Sequence, residues 1–315
     1  MGLIDRILSS DEFIQSPPVL IDIGASGAIH KKWKKIAPYA ICIAFDADDR
    51  DFDPASTEKS KYRKLLVKQK LVSDKAGDSA NFYLTHSPHC SSLLEPDLDA
   101  LKDWAYAPIF SVEKTIQLST TDINTTLTEF GISYIDWYKS DSQGIDLQLF
   151  KSIPDNIRKN ISIAEFEPGI LDAYKGEDKL TGMLSYQDEY NHFWLAELIV
   201  KGPLRIPHNK LSEIVPNHFL QKLLGKVGPI APGWAEMTYC NTFKSTETQT
   251  RRSLMMGWIT ATLIGQHSFA YTLADKGYQL FGDKLFKAML GFSKRKLWMG
   301  FISFRYFSLL FKKIF

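Results

Sequence analysis

Short apolar runs, separated by stretches with helical spacing, restrict this chain more than any other feature. The runs are Val19–Ile23, Ala40–Phe45 ending at Asp46, Lys64–Val72 ending at Ser73-Asp74, Tyr134–Lys139 leading into Ser140-Asp141, and Ile161–Phe166 followed by Glu167. Runs this short and continuous suit strands buried on both faces of a parallel sheet. Helical spacing falls between them, at Ala28–Ala37, Asp97–Ala105, Thr121–Phe130, Ile145–Ser152 and Gly176–Glu189. Further strands are expected at Asn81–Thr85, Thr115–Ser119, Phe193–Val200 and Ala235–Phe243, and a leading helix at Asp5–Phe13. Gly202–Pro232, rich in Pro and Gly, reads as a loop. Alternation of this kind predicts an α/β fold with a doubly wound, mostly parallel, Rossmann-like sheet covered on both faces. Beyond Ser245 proline disappears and the pattern turns helical, so a domain over 1–245 and a helical extension over 246–315 are expected.

The net charge of +2 does not point to a nucleic-acid partner, which usually requires a strong basic excess. Cys42, Cys90 and Cys240 are far apart, odd in number and without C-x-x-C spacing. That fits a reducing compartment and neither a disulfide framework nor a zinc site. Met1–Gln15 carries early acids and lacks a basic start with an apolar core. No secretory signal is read there, and a cytoplasmic location is expected.

The first apolar run leads into Asp22-Ile23-Gly24-Ala25-Ser26-Gly27. Glycines after a first strand let a cofactor approach the backbone closely, and the N-terminus of a following helix favours polar or anionic groups. A dinucleotide site would show G-x-G-x-x-G. Gly24 and Gly27 depart from that and suit a turn cradling the amino-acid end of S-adenosylmethionine, with Asp22, Ala25 and Ser26 around it. Asp46, about 20 residues beyond the turn, stands where an acid accepts hydrogen bonds from ribose hydroxyls. Ser73 and Asp74, at the end of the third run, complete the cofactor-binding candidates.

Four stretches resemble the FkbM-type S-adenosylmethionine-dependent O-methyltransferases. They are Leu20–Gly27, Ala44-Phe45-Asp46, Ser91-Ser92-Leu93-Leu94 after Phe82-Tyr83-Leu84-Thr85, and Asp136–Gly144 with its Lys139-Ser140-Asp141-Ser142-Gln143-Gly144. The resemblance covers roughly 19–243. Two positions depart from the family pattern: Asp46-Ala47 replaces a glutamate followed by proline, and Ser140 replaces an aliphatic residue. The resemblance implies methyl transfer to a hydroxyl, on a sugar or glycan acceptor. Two other classes fit parts of the pattern: a nucleotide-dependent sugar-modifying oxidoreductase, and a degenerate methyltransferase fold kept as a scaffold.

Lys139 and Asp141 lie two apart at a strand end, hence on one face. Asp141 is the candidate general base or positioning group, and Lys139 its ion-pair partner. His86, with His89 nearby, is an alternative proton acceptor on a loop. Ser91, Ser92, Gln143, Gly144, Glu165 and Glu167 are the candidate acceptor-binding residues. Asp141 with Glu165 or Glu167 is an oxygen-ligand set, but acids at strand ends are common and no metal is assigned.

Ser253–Ala274 carries no charge apart from His267, and its polar residues favour a helix packed on the domain over a membrane span. From Lys284 onward every charged residue is basic. Trp298, Phe301, Phe304, Phe307 and Phe311 recur at helical spacing between Lys294-Arg295-Lys296 and Lys312-Lys313. This tail is expected either to lie on an anionic membrane, at its inner face, or to pack against the core or a second copy.

Overall fold

Strands β1 (Val19–Ile23) and β2 (Ile41–Phe45) pair in parallel, with Leu20 opposite Cys42 and Asp22 opposite Ala44. In the computed structural model, residues 2–24, 30–45, 47, 61–228 and 230–302 are described. The remaining strands are β3 (Lys64–Lys68), β4 (Leu71–Val72), β5 (Gly77–Thr85), β6 (Val112–Thr121), β7 (Trp137–Ser140), β8 (Ile163–Phe166), β9 (Phe193–Lys201) and β10 (Trp234–Asn241). Seven of them form one sheet in the order β3-β2-β1-β7-β8-β10-β9. The first five run parallel, whereas β10 is antiparallel to both β8 and β9. The expected α/β class and mostly parallel sheet are therefore present.

A second sheet, β4-β6-β5, stands apart from the first. It forms because the run Lys64–Val72 does not stay one strand. Lys68 turns outward to Glu129 at 2.5 Å, and Gln69-Lys70 cannot be buried on both faces of a sheet. Leu71-Val72 then pairs with Thr120-Thr121 instead.

Alternation along the strands builds two cores. Ile21, Ile43, Phe45, Tyr138, Ala164 and Tyr239 face a layer that includes the helices Ile123–Glu129, Asp146–Ser152 and Leu180–Tyr190. Leu20, Cys42, Trp137, Ile163 and Cys240 face the other way, onto the C-terminal segment. There the helix Arg251–Leu263 is buried from Leu254 to Ala261, between the sheet and the helices His267–Phe281 and Lys284–Ile302. This explains the long uncharged stretch: a helix covered on all sides needs no polar face. The stretch is two helices rather than one, parted at Gly265, whose φ of 81° suits glycine. Among the described residues no helix is long and apolar enough to cross a membrane.

Arg252 ties the extension to the sheet. Arg252 donates to both oxygens of buried Asp136, at 2.8 and 2.7 Å, and to the carbonyl of Ser16 at 3.1 Å. Asp136 in turn accepts from the Val19 amide at 3.0 Å, so the guanidinium locks the extension to the entrance of β1 and β7. Packing of the outer helices depends on Gly277. A Cβ there would stand 2.2 Å from the ring of fully buried Phe286. Gly277→Val is expected to destabilise the fold by about 1–3 kcal/mol through overpacking, measured as a lowered Tm. An unchanged Tm would show that the helices part without cost.

Two expectations need correction. Gly202–Pro232 is not a plain loop: it holds helices His208–Ile214 and His218–Val227. Pro207 precedes the first, and Asn217 caps the second by accepting from the amides of Phe219 and Leu220. Proline is tolerated at a helix start, where its missing amide donor would be unpaired anyway. The stretch Ala28–Ala37 is not a regular helix where it is described, but tight turns at Lys31–Trp33 and Ala37–Tyr39. Pro38 supplies no amide donor to continue a helix.

Candidate active site

The chain leaves β1 toward β2 on one side and later returns at β7 on the other, so the sheet order reverses between β1 and β7. Open α/β sheets form their crevice at such a switch point, beyond the carboxyl ends of the strands. The Gly24 amide donates to Phe45 O at 3.2 Å, and the Asp141 amide donates to Ile23 O at 3.1 Å, drawing three strand ends together. Gly24 has φ 75°, and a Cβ on it would lie 2.3 Å from the Asp141 carbonyl oxygen. Only glycine permits this approach. Ala25, Ser26, Gly27 and Asp46 lie outside the described residues.

Cavities open on either side of this junction. One, of about 130 Å³, is walled largely by apolar side chains, among them Phe45, Val72, Phe82, Leu93 and Ile145. Ser91 and Gln143 also line it, and Lys70 is its one permanent cation among the described residues. The other, of about 320 Å³, is lined by Asp141, Glu165, Glu167, Glu197 and Glu236, with Lys32, Lys139 and His30. Gly24, His89 and Asp141 border both.

The acidic cavity follows from register. Asp22, Lys139, Glu165, Thr238 and Glu197 stand opposite one another on adjacent strands and form one row across the sheet. Charge alternates over the first three members of the row, Asp22, Lys139 and Glu165. Lys139 Nζ pairs with Asp22 at 2.9 Å. Burial works against the ammonium, but Asp22 and Asp141 outweigh it and hold its pKa above the usual lysine range. Glu165 is buried with both oxygens engaged, by Lys32 Nζ at 2.5 Å and by Trp137 Nε1 at 2.8 Å. It shapes the cavity wall and holds Lys32.

Asp141 and Glu167 are less satisfied. Burial is the main cause raising both carboxyls above the ordinary carboxylate range, and Asp141 raises Glu167 further. Glu236 and Asp146 push Glu167 further up, whereas Lys139 and a Gln143 amide bond pull Asp141 down. Glu167 therefore keeps its proton to the higher pH, and Asp141 is the one ionised first. A carboxyl raised on folding stabilises the fold fully only below its unfolded pKa, near 4.3 for glutamate, and the contribution is lost as pH rises through the folded value. Glu167→Gln should thus gain stability over the native protein, with a gap that widens from mild acid through neutrality. Urea unfolding at several pH values measures it, and a gap independent of pH would refute the assignment.

The turn after β7 is held from three directions. Gln143 (φ 58°) and Gly144 (φ 117°) take left-handed or extended positive conformations. Ser92 Oγ donates to Gln143 O at 2.7 Å. The Tyr174 hydroxyl lies 3.0 Å from Gln143 Oε1, which orients the amide that donates to Asp141. Asp146, fully buried at the start of its helix, accepts from Ser140 Oγ at 2.6 Å and from the amides of Ser142 and Glu167, each at 2.8 Å. It ties the ends of β7 and β8 together.

The sequence-expected residues are only partly assembled here. Gly24, Asp141, Gln143, Ser91, Lys139, Glu165 and Glu167 border the cavities, and Asp22 sits beneath Lys139. Ser92 and Gly144 shape the turn behind them. His86 is not brought in: its exposed ring pairs with Glu113 at 2.8 Å on the second sheet. Ser73 and Asp74 are also outside; Ser73 Oγ donates to Asp74 at 3.1 Å, and it is Lys70, Leu71 and Val72 that face the cavity. Asp146, His30, Lys32, Glu236 and Tyr174 were not anticipated. Burial lowers the pKa of His30, and its Nδ1 is buried with no hydrogen-bond partner among the described residues. For these only the long-range fold gives a signal. No family model matches the chain, and searches of curated proteins and of solved structures likewise find no match, so the chemistry of the crevice rests on its own residues.

Proposed function

We propose that this crevice binds S-adenosylmethionine and directs its methyl group to a hydroxyl of a sugar or glycan acceptor. The observation that carries the reading is the Gly24–Asp141 junction, with an apolar cavity on one side, an acid-lined cavity on the other, and Asp141 bordering both. The apolar cavity suits the nucleoside part of such a cofactor, since Phe45, Val72, Phe82, Leu93 and Ile145 wall it and Lys70 is its one permanent cation among the described residues. The strand order supports the reading too. The classic dinucleotide fold ends 4-5-6, whereas here the last strand is inserted antiparallel between the fifth and sixth of the large sheet. That arrangement agrees with the methyltransferase fold the sequence resemblance implies.

Bound there, S-adenosylmethionine would supply an electrophilic methyl group on its sulfonium, for transfer to the acceptor oxygen. The protein holds the acceptor and takes its proton. Asp141 receives that proton, with Gln143 and Tyr174 fixing its orientation and Lys139 keeping it the more acidic of the two raised carboxyls. His30, kept neutral by burial and with an unengaged Nδ1 among the described residues, is the second candidate base.

Calorimetric titration tests the reading. S-adenosylhomocysteine should bind and raise the Tm, since a ligand selective for the folded state stabilises it. NAD should bind more weakly. Ala47→Trp, at the mouth of the apolar cavity, should weaken S-adenosylhomocysteine by at least roughly tenfold, about 1.4 kcal/mol, without lowering the Tm of the free protein. Tighter binding of NAD, or no S-adenosylhomocysteine binding at all, would overturn it.

A further inference from the structure

The insertion between β9 and β10 turns an apolar face outward. Helix His218–Val227 has the sequence His-Phe-Leu-Gln-Lys-Leu-Leu-Gly-Lys-Val. Phe219, Leu220, Leu223 and Leu224 recur at helical spacing, which would normally mark a buried stripe. Here they are exposed: Phe219 is 72% accessible, and Ile214 on the preceding helix is 71% accessible. Of these, Leu224 and Ile214 border, together with Ile230, an apolar groove of about 440 Å³. Soluble surfaces rarely carry so many large apolar side chains together unless something covers them.

Charge identifies what covers this face. Between Lys201 and Gly228 the sequence holds Lys201, Arg205, Lys210, Lys222 and Lys226 against one acid, Glu213. That acid is paired with Lys210 at 2.9 Å, and Lys201 is paired with Glu236 at 3.3 Å, so Arg205, Lys222 and Lys226 carry the basic excess. An apolar helical face flanked by basic residues is the composition of an element lying in the boundary of an anionic bilayer.

The placement is informative. β9 runs parallel to β8, so the insertion leaves the sheet on the edge where the crevice opens. It is fastened there, with the Ala105 amide donating to Leu204 O at 3.1 Å and Arg205 over the Trp104 ring at 5.5 Å. Glu236, at the start of β10 just beyond it, lines the acidic cavity.

We propose that the helix His218–Val227, with Ile214 and Ile230, docks this protein peripherally on an anionic lipid bilayer, with the crevice edge toward the membrane. The basic aromatic tail lies outside the described residues from position 303 onward, and the docking claim does not rest on methyl transfer.

Flotation of the full chain with vesicles tests it, comparing pure phosphatidylcholine with phosphatidylcholine containing about one quarter phosphatidylglycerol. Binding is expected to the anionic vesicles alone and to weaken as salt shortens the screening length from about 10 Å to about 3 Å. Phe219→Glu with Leu223→Glu should reduce partitioning on the order of tenfold or more and leave the Tm unchanged, because both side chains are exposed. Lys312→Glu with Lys313→Glu in the tail should retain insertion-dependent binding. Leu220→Cys, labelled with a polarity-sensitive fluorophore, should shift to shorter wavelength on anionic vesicles; the native cysteines are buried. Vesicle binding that survives the Phe219/Leu223 change in the Lys312→Glu, Lys313→Glu background overturns the proposal. So does a label at position 220 that stays in water, or a face that joins two copies while ignoring vesicles at low salt. Loss of S-adenosylhomocysteine binding bears only on the proposed activity.

Discussion

Asp141→Asn is expected to lower turnover by about 10²–10⁴-fold, the usual contribution of a positioned general base. The substitution keeps shape and removes basicity. S-adenosylhomocysteine affinity should change much less, because the apolar walls that would hold the nucleoside are untouched. Since burial raises the Asp141 carboxyl, its basic form is lost at a pH above the usual carboxylate range. The native kcat/KM profile should accordingly fall on an acid limb above that range, and the asparagine variant should lose the limb. His30→Asn serves as the comparison. If it removes the limb while Asp141→Asn turns over normally, the base is the imidazole.

The second large effect concerns stability. Asp136→Ala is expected to cost about 3–5 kcal/mol, because it leaves the largely buried Arg252 guanidinium without its carboxylate and the Val19 amide without its acceptor. Against a total stability of about 5–15 kcal/mol, that is a large share. Arg252→Ala should cost a comparable amount and additionally lose stacking over Phe13 and Tyr134, at 5.1 and 4.7 Å. The double variant should cost less than the two changes summed, since each removes the other's partner. Guanidinium unfolding measures all three. A loss under about 1 kcal/mol for Asp136→Ala would show that the pair behaves as a surface salt bridge.

Local pattern carried much of the architecture. Val19–Ile23, Ile41–Phe45 and Ile163–Phe166 are short runs apolar except at Asp22 and Glu165, the composition of strands buried on both faces. The turn at Gly24 was legible for the same kind of reason: glycine after a first strand signals an approach that a side chain would block, and the Asp141 carbonyl is what approaches. Asp141, Gln143, Glu165 and Glu167 were legible as strand-end residues, because position along one strand sets which edge of the sheet they reach.

Other features depended on partners distant in sequence. Whether Lys64–Val72 was one strand or two depended on Thr120-Thr121 being free to pair with Leu71-Val72. The insertion looked like a loop because its prolines were weighed locally, whereas Pro207 and Asn217 begin helices. His86 looked as suitable as His89 from their shared loop, but pairing of β5 with β6 brought His86 to Glu113 and left His89 at the crevice. The row Asp22–Lys139–Glu165–Thr238–Glu197 has no sequence signature at all, since five strands contribute one residue each and only register aligns them. Sequence by itself determined which residues reach the carboxyl edge of the sheet, because side-chain alternation and strand ends are local properties. Tertiary structure alone decided which of them meet, which keep a proton and which are spent on structure, because burial and charge neighbours are set by strand pairing across the whole chain.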